Sequence, residues 1–520
     1  MFNIKNLNIS RNNQSLSLVK NFSFTFADQD KVALVGEEGT GKSSLIKAMV
    51  FKDSLDYASV KFDEMSDSLV VGYVPQLLSY QGSVDDMFYK NVDWEFFDYA
   101  LFNELLNDFG LVDLDIDKRP YEVLSGGEKV KLKIIQELMK QPDILLLDEP
   151  TNDLDMKSIE ALEKHLKAVN YPVVISSHDR SFIENVANTI IHFEQVKRRT
   201  ESYQTIYRMT YSDFIEERHY RMTKQASQHT KETEEFDKAM ERFESIHDRV
   251  HHSLKTATRQ DPQAAKNLKD KMRTVKSMEK RLQRQQDTIT SRPEFDKPID
   301  FQLNNKGSIH TTRKVLDISI KPLKIKDKVL SKGVELQLYG PEKIAIIGEN
   351  GIDKSTLLYA IKESLESSGL NVAWMPQSYS EVMDVKKNSI EQLADIKDKE
   401  AVTKARTFLG SLNFTAEEML VPFSELSGGQ KAKLYFGKMA LDSSDVLLLD
   451  EPSRNISPLS LESLETALKN YTGAVIMVSH DRQLIAHVAD KIYELDVEGL
   501  HLKETLNDNE KKSTFILTDN

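Results

Sequence analysis

The 520-residue chain contains no cysteine, which excludes a disulfide framework, a zinc–thiolate site and a cysteine nucleophile. Its 20 Gly and 14 Pro are too few for a fibrous or low-complexity protein, and 40% hydrophobic residues are too many for a chain disordered throughout. No run of about eighteen apolar residues occurs, so nothing reads as a membrane span. Met1 to Ser10 alternates polar and apolar residues like a first strand and lacks the apolar core of a signal peptide. Basic charge is not in excess: 69 Lys and Arg stand against 82 Asp and Glu, a net charge of −13. That balance excludes a uniformly basic nucleic-acid binder but leaves room for a local basic patch. The length implies at least two domains. The expected class is a soluble cytoplasmic protein.

What the chain does have is one set of parts twice. In the first half an apolar strand leads into GEEGTGKS (Gly36 to Ser43), then Pro-Gln at Gln76, LSGGEK at Ser125, LLLDEP at Asp148 and VVISSHDR at His178. The second half repeats these as GENGIDKS (Gly348 to Ser355), Pro-Gln at Gln377, LSGGQK at Ser427, LLLDEP at Asp450 and VIMVSHDR at His480. Serine to aspartate spans 23 positions in both halves and aspartate to histidine 30 in both. Chance matches do not reproduce intervals in this way.

Each part has a chemical reading. Gly36-x4-Gly41-Lys42-Ser43 between an apolar strand and Leu45-Ile46 has the form of a phosphate loop. Its backbone N–H groups and helix N-terminus face phosphate, Lys42 reaches β and γ oxygens, and Ser43 binds Mg²⁺. The candidate nucleotide-binding residues are therefore Gly36, Glu37, Glu38, Gly39, Thr40, Gly41, Lys42, Ser43 and Ser44. In the second copy they are Gly348, Glu349, Asn350, Gly351, Ile352, Asp353, Lys354, Ser355 and Thr356. Alone, such a match is equally a Gly-rich turn opening a helix; the downstream partners make that reading weak. Asp148 and Asp450 end buried strands and suit the Mg²⁺ shell, joined by Ser43, Ser355, Gln76 and Gln377. Glu149 and Glu451 are placed as general bases. His178 and His480 follow further apolar strands and are candidates to sense a γ-phosphate; a single histidine would more often be structural, but this one recurs in the same Ser-His-Asp-Arg setting. Ser125, Gly126 and Gly127, like Ser427, Gly428 and Gly429, make a second anion-binding helix start without a lysine. Such a half-site makes sense if it completes another copy's phosphate site.

Between the copies, Ile215 to Ser291 holds one Pro and no Gly and reads as long helix. Phe236, Met240, Phe243 and Val250, then Leu268, Met272, Val275, Met278 and Leu282, follow seam spacings of two packed helices. Asp261-Pro262 marks the turn. Residues 251–292 carry eleven basic against four acidic residues, whereas 216–249 carry seven against nine. A basic second helix on an acidic body suggests a polyanion contact, with RNA backbone the natural candidate. The candidates are Lys255, Arg259, Lys266, Lys269, Lys271, Arg273 and Lys276. Residues 251–292 contain no aromatic residue for base stacking, so phosphate and shape contacts are expected. A charged helix can equally be a solvated spacer.

Leu-Ser-Gly-Gly together with the other motifs resembles the ATP-binding cassette superfamily, and two cassettes joined by a charged helical linker resemble its ABC-F branch. The resemblance implies an α/β fold: two P-loop cassettes in tandem, 1–214 and 301–506, joined by a long antiparallel helical hairpin, 215–300, with its tip near 255–266, and a polar tail, 507–520. It implies a monomer whose cassettes sandwich two ATP molecules with Mg²⁺. One site would join Gly36–Ser43, Gln76, Asp148, Glu149 and His178 to Ser427, Gly428 and Gly429. The other would join Gly348–Ser355, Gln377, Asp450, Glu451 and His480 to Ser125, Gly126 and Gly127. It also implies ATP hydrolysis and a ribosomal partner, the linker reaching rRNA and tRNA near the peptidyl-transferase centre.

The second cassette reads Glu451-Pro-Ser-Arg-Asn-Ile-Ser-Pro458 where the first has Glu149-Pro-Thr-Asn-Asp-Leu-Asp155. The Arg-Asn-hydrophobic-Ser-Pro run is similar to the antibiotic-resistance subset of ABC-F proteins, and Lys271 to Arg281 resembles that subset's second linker helix. These features point to protection of the ribosome from drugs bound in the large subunit. A housekeeping or stress role in translation, the ATPase module of a membrane exporter and a DNA-repair ATPase are the competing readings. One residue departs from the pattern: Asp353 stands where the first loop has Gly41. A carboxylate roughly 4 Å from a phosphate oxygen costs about 4 kcal/mol at an effective dielectric near 20. The second site is thus expected to bind or hydrolyse ATP poorly.

Overall fold

The computed structural model describes residues 1–11, 17–52, 54–66, 69–76, 78, 80, 84, 97–112, 120–196, 201–256, 262–288, 313–320, 323–325, 328–331, 333–349, 354–412 and 414–505. The chain divides into two compact units, one holding Met1–Tyr211 with Asp296–Asn520 and one spanning Ser212–Phe295. Arg259 and the four residues Asn350, Gly351, Ile352 and Asp353 lie outside the described residues, as do the side chains of Lys255 and Lys266.

The first unit contains two sheets of the same topology. In the first half the strand order is Glu201–Tyr207, Thr189–Val196, Lys31–Gly36, Val173–Ser176, Ile144–Asp148 and Val71–Val74. All neighbours run parallel except the first two. The second half repeats this as Leu500–Thr505, Lys491–Leu495, Lys343–Ile347, Ala474–Val478, Val446–Asp450 and Val372–Met375. The inner strands are apolar without alternation because helices or a further sheet cover both faces. Val32, Leu34, Leu146, Val174, Leu448 and Ile476 are fully buried accordingly. An antiparallel sheet led by Phe2–Arg11 and Ser17–Phe26 packs one face of the first half and does alternate. Its register shifts between Ile4 and Leu7, where Asn6 takes φ +52°, and both apolar side chains stay buried. This α/β pair of P-loop cassettes is the architecture expected from the motif repeat.

The sheets position chemistry through their register. Asp148 pairs with Ser176 and Asp450 with Val478 at the carboxyl ends of adjacent strands. The loops carrying His178 and His480 therefore start beside the two carboxylates, at the edge where open α/β sheets bind ligands.

The second unit contains the helices Tyr211–Thr256, of 46 residues, and Pro262–Thr288, of 27 residues. Proline opens the second helix where its missing N–H costs nothing. Val250, Val275 and Leu282 are buried, whereas Met278 remains 36% exposed. The seven-residue step from Val275 to Leu282 carries the apolar seam, and Met278 falls off it. Lys269, Lys271, Arg273 and Lys276 are exposed.

Leu146→Ala, deep in the first sheet, should destabilise the protein by about 2–5 kcal/mol. The check is a lowered urea midpoint at unchanged secondary structure before the transition.

Candidate nucleotide site

Each phosphate loop begins where its strand ends. A Cβ on Gly36 would lie 2.4 Å from the Phe193 carbonyl oxygen, and Gly41 caps its helix at φ +107° with Leu18 close behind. Only glycine allows that backbone approach, and it leaves N–H groups at the head of helix Lys42–Phe51. Lys42 Nζ donates to the carbonyls of Gly36 (2.7 Å) and Glu37 (3.0 Å), as Lys354 does to Gly348 and Glu349. Thr40 Oγ1 donates to the Glu37 carbonyl and tightens the loop. Ser44 turns away toward Tyr57, 3.1 Å distant.

The strand-end carboxylates lie beside the serine of each loop. Ser43 Oγ donates to Asp148 Oδ1 at 2.9 Å, and Ser355 Oγ to Asp450 Oδ2 at 2.6 Å. Burial pushes the carboxyls of Asp148 and Asp450 up to about 6, and those of Glu149 and Glu451 up to about 7. Asp148 Oδ2 is buried and has no hydrogen-bond partner among the described residues. An orphaned carboxylate oxygen beside a serine hydroxyl is a hard oxygen donor set, and these residues fit Mg²⁺. Glu149 and Glu451 both adopt left-handed backbone, φ +54° and +51°. Each costs on the order of 1–3 kcal/mol, strain of the kind stored at functional sites.

Glu149 accepts from Ser176 Oγ (3.1 Å) and the His178 N–H (3.2 Å), and His178 Nε2 lies 3.2 Å from its Oε1. Glu451 holds His480 similarly, 3.3 Å from its N–H and 3.5 Å from Nε2. Burial, reinforced by the lysine of each loop, lowers His178 to about 4 and His480 to about 3. Both imidazoles are therefore neutral at pH 7. Gln76 is exposed just beyond Val71–Val74. Gln377 is exposed as well and lines a cavity of about 450 Å³. Lys354, Ser355, Asp450, Glu451 and His480 line that cavity from the second half, and Ser125, Gly126 and Gly127 from the first. Facing the first phosphate loop, Ser427 Oγ donates to Glu38 Oε2 at 3.0 Å, and the Gly429 N–H reaches the same oxygen. Gly428 lies against Asn455, and Thr356 sits half-buried in the first turn of its helix. The first loop thus meets the Ser-Gly-Gly turn of the other half, and Lys354 and Ser355 share a cavity with the other such turn.

The ABC transporter family profile matches residues 19–152 and 331–454. The chain belongs to the ABC family, with two cassettes in tandem. Its relatives include the Arabidopsis thaliana ABC transporter F family member 5, 27% identical over 95% of this chain and 75% of that protein. The ATP-binding protein Uup of Buchnera aphidicola is 28% identical over 93% and 79%. The Bacillus subtilis ribosome protection protein VmlR is 27% identical over 96% and 88%. A solved structure titled RNase-L Inhibitor aligns at TM-score 0.59 and 16% identity, covering 97% of this chain and 91% of that one. The ABC-F expectation from the motifs agrees with these relatives.

The motifs did not reveal what holds the two cassettes face to face. Arg180, just after His178, pairs with Glu465 of the second cassette, and Arg482, just after His480, pairs with Glu163 of the first. All four are largely buried, and each residue recurs 302 positions on. That common offset was the available signal. His487 Nδ1 supports Glu465 at 3.1 Å and Asn185 Nδ2 supports Glu163 at 3.0 Å.

Two outcomes follow. Burial alone would raise the Glu465 carboxyl, but His487 and Arg180 hold it below the ordinary range. Its contribution is therefore complete above the unfolded value of about 4.3 and disappears as pH falls below it. Glu465→Gln should lower the melting temperature at pH 7 and flatten its decline between pH 5 and 3. Arg180→Ala, which strands a buried carboxylate, should cost about 3–5 kcal/mol in chemical denaturation.

Proposed function

We propose that the protein is a cytoplasmic ABC-F ATPase that binds the ribosome and protects translation from antibiotics acting on the large subunit. The observation that carries the ATPase part is the crossed arrangement of loops. Ser427 and Gly429 face the first phosphate loop, while Ser125, Gly126 and Gly127 share a cavity with Lys354 and Asp450.

In this reading Gly36–Ser44 and Gly348–Thr356 cradle the triphosphates, with Lys42 and Lys354 on the β and γ oxygens. Mg²⁺, held by Ser43 with Asp148 and by Ser355 with Asp450, with Gln76 and Gln377 nearby, would neutralise phosphate charge. Glu149 and Glu451 take a proton from the attacking water, which suits carboxyls poised near neutrality. His178 and His480, neutral and hydrogen-bonded to those glutamates, orient them. Hydrolysis is unequal between the sites because Asp353 replaces the glycine found at Gly41. The domain limits 1–214, 215–300, 301–506 and 507–520 belong to this proposal.

The ribosomal part is supported by the relative named a ribosome protection protein and by the exposed Lys269, Lys271, Arg273 and Lys276. Lys255, Arg259 and Lys266 extend the same basic segment toward rRNA or tRNA. The Ser453-Arg-Asn-Ile-Ser-Pro458 loop supports drug protection over a housekeeping role. Against an exporter module with separately encoded spanning subunits stands the long basic helical segment between the cassettes, where a short connector would be expected.

The test replaces Glu149 and Glu451 together by Gln to trap the ATP-closed form. The trapped protein should pellet with ribosomes when ATP is present, and adding Lys269→Glu, Lys271→Glu and Arg273→Glu should weaken pelleting at least tenfold (on the order of 1.4 kcal/mol or more). Recovery in the free fraction, or ribosome binding with no change in drug susceptibility of an expressing strain, counts against the proposal.

A further inference from the structure

We infer that Glu38 is a specificity-determining residue of the first composite site. Its carboxylate takes the seat on the second cassette's signature helix that the terminal phosphate of ATP must take. The inference rests on the first site being an ATP site.

The seat is the start of helix Gly428–Leu441. One oxygen of Glu38 accepts from both the Ser427 hydroxyl and the Gly429 N–H. The fit is close: a Cβ on Gly429 would lie 2.3 Å from the Glu38 carboxyl carbon. A carboxylate at a helix start receives charge-assisted hydrogen bonds and the favourable end of the dipole. A γ-phosphate would use the same donors.

The neighbouring residue shows what brings Glu38 to this seat. In the first cassette Asp155 accepts from Lys131 Nζ (3.0 Å) and from Ser158 Oγ (2.7 Å), all within the cassette. The equivalent positions 302 residues on are Lys433, Ser457 and Ser460, so the carboxylate of that triad is missing. Glu37 supplies it from the other cassette. It accepts from Lys433 Nζ (2.7 Å), Ser457 Oγ (2.7 Å) and Ser460 Oγ (2.8 Å). Anchored there, Glu37 delivers Glu38 onto Ser427.

Among the described residues the second site does not repeat this arrangement. Asp155 already serves Lys131, and Glu349, the counterpart of Glu37, pairs instead with the exposed Lys157 at 2.7 Å. Asn350 stands in place of Glu38. The signature serines differ too. Ser125 Oγ donates within its own turn to Glu128, whereas the corresponding Gln430 turns its amide to Glu418, and Ser427 Oγ donates across to Glu38.

ADP lacks the phosphate that would compete for this seat, so it leaves Glu38 in place. ATP must displace it. The carboxylate therefore selectively weakens ATP binding at the first site, and the first site closes on its own side chains before it closes on nucleotide.

The experiment measures ATP and ADP affinity, with Mg²⁺, on full-length protein carrying Lys354→Ala so that the first site reports alone. Against that background Glu38→Asn should tighten ATP binding about tenfold, the range expected when one charge-assisted competitor is removed. ADP affinity should stay within about twofold on the same scale. Glu38→Gln, which keeps the shape and removes the charge, should move ATP in the same direction. Unchanged or weakened ATP binding, or equal shifts for both nucleotides, overturns the role of Glu38. No ATP binding by the parent and both variants overturns instead the reading of the site as an ATP site.

Discussion

The arrangement of the two cassettes depends on a pair of crossed ion pairs, Arg180 with Glu465 and Arg482 with Glu163. Taking four charges out of water is expensive, and such pairs contribute little net stability compared with apolar residues of the same size. What they supply here is orientation. Each arginine begins the helix that follows His178 or His480, and each glutamate lies mid-helix on the opposite cassette. Any other apposition would leave buried charges unpaired. The facing of Ser427 toward Glu38, and of Ser125 toward Lys354, follows from this one constraint.

The constraint also ties each interface contact to a buried, strained carboxylate. The histidine two residues before each arginine contacts the strained glutamate that follows the strand-end aspartate. A left-handed glutamate persists only where its surroundings over-determine it. Here the serine hydroxyl, the histidine N–H and the buried strand end do so for Glu149. The position of one half relative to the other is thereby felt within about one hydrogen-bond length of the proposed chemistry.

Much of the fold and site could be read from residue order. Paired motifs at equal intervals gave the tandem cassettes, and uninterrupted apolar runs ending in Asp-Glu placed Asp148, Glu149, Asp450 and Glu451 at strand ends. The burial of Val250, Val275 and Leu282 followed from their spacing, while Met278 shows that one apolar residue near a seam need not join it. Contacts between the halves were less legible. Glu163 and Glu465 are ordinary helix residues without a motif around them, and only the partner arginine gives them meaning. Glu37 and Glu38 looked like loop residues near phosphate; that they serve the other cassette depends on a serine 420 positions away, Ser457.

The exchange of Asp155 for Ser457 makes the two cassettes non-interchangeable. A molecule assembled from two first cassettes would bring Asp155 against Glu37 at each junction, setting a second carboxylate where the natural chain has the Ser457 hydroxyl. Two second cassettes would leave the lysine of each triad facing Glu349, next to Asn350 rather than Glu38. The chain is thereby fixed as a left-and-right pair in spite of its repeated topology.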